Sequence, residues 1–277
     1  MASIGRGTVV ALVILVIGVP ATAGAQIAFE KSGYYLSVGD SVAAGQGALP
    51  VTHGFAYQLY DRGVFGRKQK MDFGNIAIKG ATTDDVQLFQ VPQALCIQPP
   101  RIAMAPSVIT VVAGANDLLV YVAANGIPQD PLTVLPELAD AIAAKVDNII
   151  RSLVFGVAGL PAHCAANGIP GVIVLVANYY SFNHPDPNID FLLDLALQSF
   201  GASLAARVAQ IQAELAAEGK TARVGYVDSF AAVDGPGLLL ITRRNGFDGA
   251  LDFEIHPTNA GHTAIAREFE RVWETIQ

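Results

Sequence analysis

Cysteine is nearly absent from this sequence: Cys96 and Cys164 are the whole complement. Their separation argues against a zinc-ligand set. In an oxidising compartment the two can bridge; otherwise they are inert buried thiols, and spacing alone does not choose between these. Charge is sparse as well. Only 15% of residues are charged, the formal net charge is −7, and Lys and Arg form no cluster. An acidic chain without a basic patch is poorly equipped to grip phosphate backbones, so nucleic acid is excluded as a partner. Several catalytic and nucleotide signatures are missing too. No His-Glu-x-x-His occurs, and Ser41 does not lie in a Gly-x-Ser-x-Gly elbow. Gly219-Lys220-Thr221 mimics the end of a phosphate loop, but the earlier glycine is replaced by Glu214. Gly45 and Gly47 open a dinucleotide pattern that Pro50 breaks.

Apolar residues, by contrast, are abundant at 52% of 277, enough to bury a large core. Arg6 precedes an apolar run from Val9 to Val19, followed by Pro20 and the small residues Ala21 to Ala25. That order predicts a secretory signal peptide over 1–25, cleaved after Ala25 or, alternatively, Ala23, and hence a secreted or periplasmic protein. The run falls short of the roughly 20 residues that a spanning helix needs. No comparable run follows, so no membrane span is expected after cleavage. The remaining 26–277 is expected to form one catalytic domain.

Five short apolar segments read as buried strands: Tyr34–Val38, Gly74–Ile78, Val108–Ala113, Val172–Ala177 and Ala222–Val227. Helical spacing fills Pro136–Leu153 and Phe191–Glu218, with Gly219 as a C-terminal cap, and a last helix runs from just after Thr258 to about Trp273. Alternating strands and helices predict a three-layer α/β/α domain on a mainly parallel five-stranded sheet. The longest irregular stretches are Gln93–Pro106, Asn178–Asn188 and Ala231–Ile255. In such folds ligands bind beyond the carboxyl ends of the strands.

Four polar segments fall at those ends. Strand one runs into Gly39-Asp40-Ser41, placing a hydroxyl at the rim and its N–H at a helix start. An N-cap serine is the plainer reading. Gly80 follows strand two, where bare backbone lets an N–H approach a substrate, although a turn glycine looks the same. Gly114-Ala115-Asn116-Asp117 follows strand three and can aim an amide N–H into the same crevice, or simply close a turn. His256 precedes the last helix and is a suitable general base. His53 and His184 in loops, His163 beside Cys164 and His262 within the last helix weigh less. Together the segments supply a nucleophile, Ser41, a base, His256, and three oxyanion donors: the Ser41 N–H, the Gly80 N–H and the Asn116 side chain. Asp40 and Asp117 read as loop-bonding carboxylates.

In this order the motifs resemble those of the SGNH (GDSL-type) esterase and lipase family. Gly39-Asp40-Ser41, with Val42 where the family name has Leu, Gly80-Ala81-Thr82-Thr83, Gly114-Ala115-Asn116-Asp117 and His256-Pro257-Thr258 carry the likeness over about 34–276. The resemblance implies a flavodoxin-like sheet and a hydrolase of esters or thioesters that needs no metal and no cofactor. One position departs from it. The family places an Asp three residues before the histidine, where this chain has Phe253. Asp252 shares a face with His256 in extended or helical backbone, Glu254 only in extended backbone, and a backbone carbonyl could orient the ring in place of either. Substrate is the least legible feature. Leu118–Val122 could wall an acyl pocket or pack a helix, and Tyr179–Phe182 could line the crevice. A small-molecule or lipid ester is expected. The alternatives are a carbohydrate acetyl ester, acyl transfer to an alcohol, or a binding domain on an inactive scaffold; oligomeric state is not legible.

Overall fold

A computed structural model describes residues 33–67, 70–96, 105–161, 163–182, 184, 186–233 and 255–277. The expected leader and the residues Asp252, Phe253 and Glu254 lie outside them. Five parallel strands form the central sheet: β1 Gly33–Gly39, β2 Met71–Asn75, β3 Val108–Val112, β4 Ile173–Ala177 and β5 Arg223–Val227. Their order is β2-β1-β3-β4-β5. Parallel neighbours require crossovers, and these are helical. They are α1 Phe55–Asp61, a continuous run made of α2 Thr83–Asp85, a π segment Val86–Gln90 and α3 Val91–Leu95, then α4 Ala115–Asn125, α5 Pro131–Phe155 and α6 Pro187–Ala217. The short α7 Ser229–Val233 and the long α8 Asn259–Ile276 complete the described α-helices, and a 3-10 turn covers Val51–His53. Helices α1, α7 and α8 pack together on one face, while α2, α3, α5 and α6 cover the other. With both faces covered, β1 and β3 are buried at every position, which is why they read as unbroken apolar runs.

The second strand differs from its expected position. It begins at Met71, three residues earlier, pairing Met71–Asn75 with Gly33–Ser37. As the edge strand it has a single neighbour and alternates Met71, Asp72, Phe73, so the search for a continuous apolar run landed late. The tail of that run still lies beside β1, because the Ile76 and Ile78 N–H groups donate to the Ser37 and Gly39 carbonyls at 3.0 and 3.0 Å.

Helix ends also shift. Helix α5 starts at Pro131, leaving Pro136 inside it. Helix α6 starts at Pro187, where the Asp186 carboxylate caps the Asn188 N–H. It ends as expected at Gly219, in the left-handed region, with Gly219 and Lys220 N–H groups returning to Ala216 and Leu215. By length and composition α6 is apolar enough to cross a membrane. Its Leu193, Leu197, Phe200, Leu204, Val208 and Ile211 nevertheless form one buried stripe, and the helix packs on α5 and β5. That is the pattern of a core helix.

The Cys96 and Cys164 sulfurs are bonded, settling the alternative left open by sequence. The bridge ties the end of α3 to the loop that follows α5.

Candidate active site

The strand order places β1 and β3 side by side with crossovers leaving β1 toward β2 on one side and β3 toward β4 on the other. Their carboxyl ends therefore bound a crevice at the point where the winding reverses. Ser41 lies two residues beyond β1 and Asn116 four residues beyond β3.

The turn after β1 is tightly determined. Gly39 has φ +135°, and an added Cβ would come within 1.9 Å of the Val112 carbonyl oxygen, so only glycine fits. A buried Gln90 from the π segment docks on this glycine, accepting from its N–H and donating to its carbonyl, both at 2.8 Å. The Asp40 carboxylate is sealed at 1% exposure and accepts the Val42 N–H at 2.9 Å. Its second oxygen accepts the Tyr179 hydroxyl. Burial pushes this acid up to about 6, against the opposing pull of those hydrogen bonds. The carboxylate takes the Val42 N–H, and the Ser41 N–H itself has no acceptor among the described residues.

The imidazole comes from the far end of the chain. His256 Nε2 lies 2.8 Å from Ser41 Oγ, and both residues are buried. Thr258 caps α8 by accepting the Gly261 N–H, which fixes the chain direction just past His256. Asn259, next in line, grips the Leu49 N–H and carbonyl at 2.8 and 2.8 Å and so holds the loop after Ser41 to the start of α8. His262, one turn on, is fully buried. Its Nδ1 accepts the Phe55 N–H, so Nε2 carries the proton and donates to the Gln46 carbonyl. Burial, with the nearby His256, lowers it to about 4 and keeps it neutral.

The other two segments are knitted to each other. Asn116 donates one amide hydrogen to the Ala81 carbonyl at 2.9 Å, which leaves its second for another acceptor. Asp117 accepts the Thr83 N–H at 2.8 Å and the Thr83 hydroxyl at 2.6 Å. Gly80, with φ +79°, faces open space, and its N–H has no acceptor among the described residues. The structure thus brings Ser41 and His256 into contact and joins the Gly80 turn to the Asn116 turn. Asp252 and Glu254 fall outside the described residues. Among the described residues no group of three or more His, Cys, Asp or Glu side chains could hold a metal ion.

Such an arrangement suits attack by a serine oxygen on a carbonyl carbon. A family model for GDSL-like lipases and acylhydrolases matches residues 35–269. The chain belongs to that family. Membership of the GDSL family indicates an ester-cleaving hydrolase. Solved structures share the fold at low identity. A lipase from a goat rumen metagenome is 16% identical with a TM-score of 0.56, over 87% of this chain and 97% of its own. An extracellular lipase from Streptomyces rimosus is 18% identical with a TM-score of 0.51, over 89% and 100%. A carbohydrate acetylesterase family member from Sinorhizobium meliloti is 14% identical with a TM-score of 0.52, over 88% and 98%. No relative was found among curated proteins.

Sequence reasoning missed Gln90, Asn259 and the bond from Tyr179 to Asp40. Each acts on a segment 51 to 210 residues away, so no local pattern announces it. Tyr179, Tyr180 and Phe182 do not line an open crevice; all three are buried, at 2% exposure or less. Leu118 packs into the core, whereas Val120 and Tyr121 edge a groove of about 350 Å³ shared with Thr82, Leu138 and Lys145.

Proposed function

We propose that this GDSL-family chain is a secreted carboxylic ester hydrolase that works through an acyl-Ser41 intermediate. Ser41 Oγ attacks the ester carbonyl, His256 takes its proton and returns it to the leaving alcohol, and water then releases the acid. The observation that carries the reading is the buried 2.8 Å contact between His256 Nε2 and Ser41 Oγ, made across 215 residues of sequence. Negative charge on the carbonyl oxygen would be met by the Ser41 N–H, the Gly80 N–H and the second Asn116 amide hydrogen, groups that the protein itself leaves without acceptors. Asp252 or Glu254 would orient the imidazole. No metal or cofactor is assigned a role. Export rests on the leader at 1–25 and agrees with a disulfide, a bond at home in oxidising compartments. The natural substrate is a small-molecule or lipid ester.

A panel of p-nitrophenyl esters of rising chain length, run on the parent and two variants, tests this. Ser41→Ala should hydrolyse none of them and should fail to react with a fluorophosphonate probe. Asn116→Ala should lose about 100- to 1000-fold in kcat, the usual cost of one oxyanion donor. Hydrolysis by Ser41→Ala at the parent's rate would end the reading. Addition of glycerol or a sugar would expose acyl transfer as a new ester product.

A further inference from the structure

We propose that Tyr179 is a positioning residue for this chemistry, its hydroxyl holding the turn that presents Ser41. The inference rests on the proposed role of Ser41.

The phenol sits where three strand ends meet. Tyr179 follows β4, Asp40 follows β1 and Ala115 follows β3, the strand between them. Its hydroxyl donates to the Asp40 carboxylate, and its ring lines a small cavity with Gly114 and Ala115, just ahead of Asn116. The phenol therefore bonds the residue before Ser41. Its neighbour Tyr180 donates to the Ile255 carbonyl at 2.9 Å, one residue before His256. Two adjacent hydroxyls thus fasten the loops that carry Ser41 and His256. Tyr179 is only 1% exposed, so its bond to the carboxylate is shielded from bulk water.

The carboxylate that it holds forms the Ser41 turn as an acceptor, and an acceptor is lost on protonation. Tyr179 donates to the charged form and hence favours it; burial, and then the Asp40 charge, keep the phenol itself neutral. Among the described residues, the titratable groups that face Asp40 are Tyr179 with Tyr180 beside it, and His256 bonded to the adjacent Ser41. Removal of the hydroxyl alone should let Asp40 take up a proton at higher pH. Both proteins carry the same imidazole at position 256, so a displacement between them reports the carboxylate.

The test is kcat against pH for p-nitrophenyl ester hydrolysis by the full chain, comparing the parent with Tyr179→Phe. A hydrogen bond to a charged group corresponds to about one pH unit, so the acidic limb should move upward by about that much. The variant should then trail the parent about tenfold on the limb and least at about pH 9, where both carboxylates are ionised. In an Asp40→Asn background, with no carboxyl left at position 40 to titrate, the same phenol removal should leave the limb in place. A loss by Tyr179→Phe that is equal at every pH, or an equal displacement in the Asp40→Asn background, would overturn the inference. Should Tyr179→Phe not fold, Asp40→Asn decides alone: its acidic limb should be shallower than the parent's, and an identical limb counts against the proposal. Ser41→Ala, run alongside, separates the two levels. If it is inactive and the limb does not move, only the role of Tyr179 falls; if it is active, the proposed function falls first.

Discussion

Asp40 is ionised at neutral pH against the preference of its surroundings. Its burial raises the acid from 3.8 to about 6. Below 3.8 the carboxyl is protonated in folded and unfolded chains alike, and its contribution to stability is fully present. As pH rises, the unfolded chain releases the proton first, so the native state loses stability until the folded carboxyl ionises at about 6. At 1.36 kcal/mol per unit, the loss across that window is about 3 kcal/mol. Asp40→Asn cannot titrate. Its stability relative to the parent should therefore improve by about 3 kcal/mol between about pH 4 and about pH 7, read from urea unfolding at each pH. A difference that stays flat would show that Asp40 does not carry the shift. Residues of this kind are half legible in sequence. Ser41, Gly80, Asn116 and His256 stand out because each ends a strand or precedes a helix. Gln90, Asn259 and Tyr179 do not, because their partners are main-chain or carboxylate groups brought near only by folding.

Helices and strands were readable wherever one face, or both, carried a regular apolar pattern. Helix α8 is the clearest case, since Thr258 supplies the cap and Ile265, Phe269 and Val272 the buried face. Helix α6 begins at Pro187, four residues before the expected Phe191, because a capped, proline-led first turn carries no core residue. The edge strand β2 was displaced for a related reason: a strand with one neighbour has less to bury than its interior companions. The cap at Thr258 is a measurable contribution. Thr258→Ala should lower unfolding free energy by about 1 kcal/mol, with an unchanged dependence on denaturant, because the Gly261 N–H loses its acceptor. An unchanged urea midpoint would mean that water satisfies that N–H equally well.

Across the whole molecule, one covalent link spans what the sheet does not. The bridge between Cys96 and Cys164 closes a loop of 68 residues that includes β3, α4 and α5. Loop-closure entropy gives such a link about 4 kcal/mol at most. The double variant Cys96→Ala, Cys164→Ala should accordingly lose about 2–4 kcal/mol, seen as a Tm lowered by about 10 °C. An unchanged Tm would place the stability of this region in packing alone. Periodicity, strand ends and motif order were properties of the sequence by itself, and they determined the α/β class, the family resemblance and the residues Ser41, Gly80, Asn116 and His256. They could do so because a strand's burial and a helix's stripe are written at short range. Strand order, the disulfide, the bond from the Tyr179 phenol to Asp40 and the 2.8 Å approach of His256 to Ser41 were decided only by the tertiary structure. Each joins groups tens to hundreds of residues apart, and only the crossover helices and the packed core hold such groups close enough to bond.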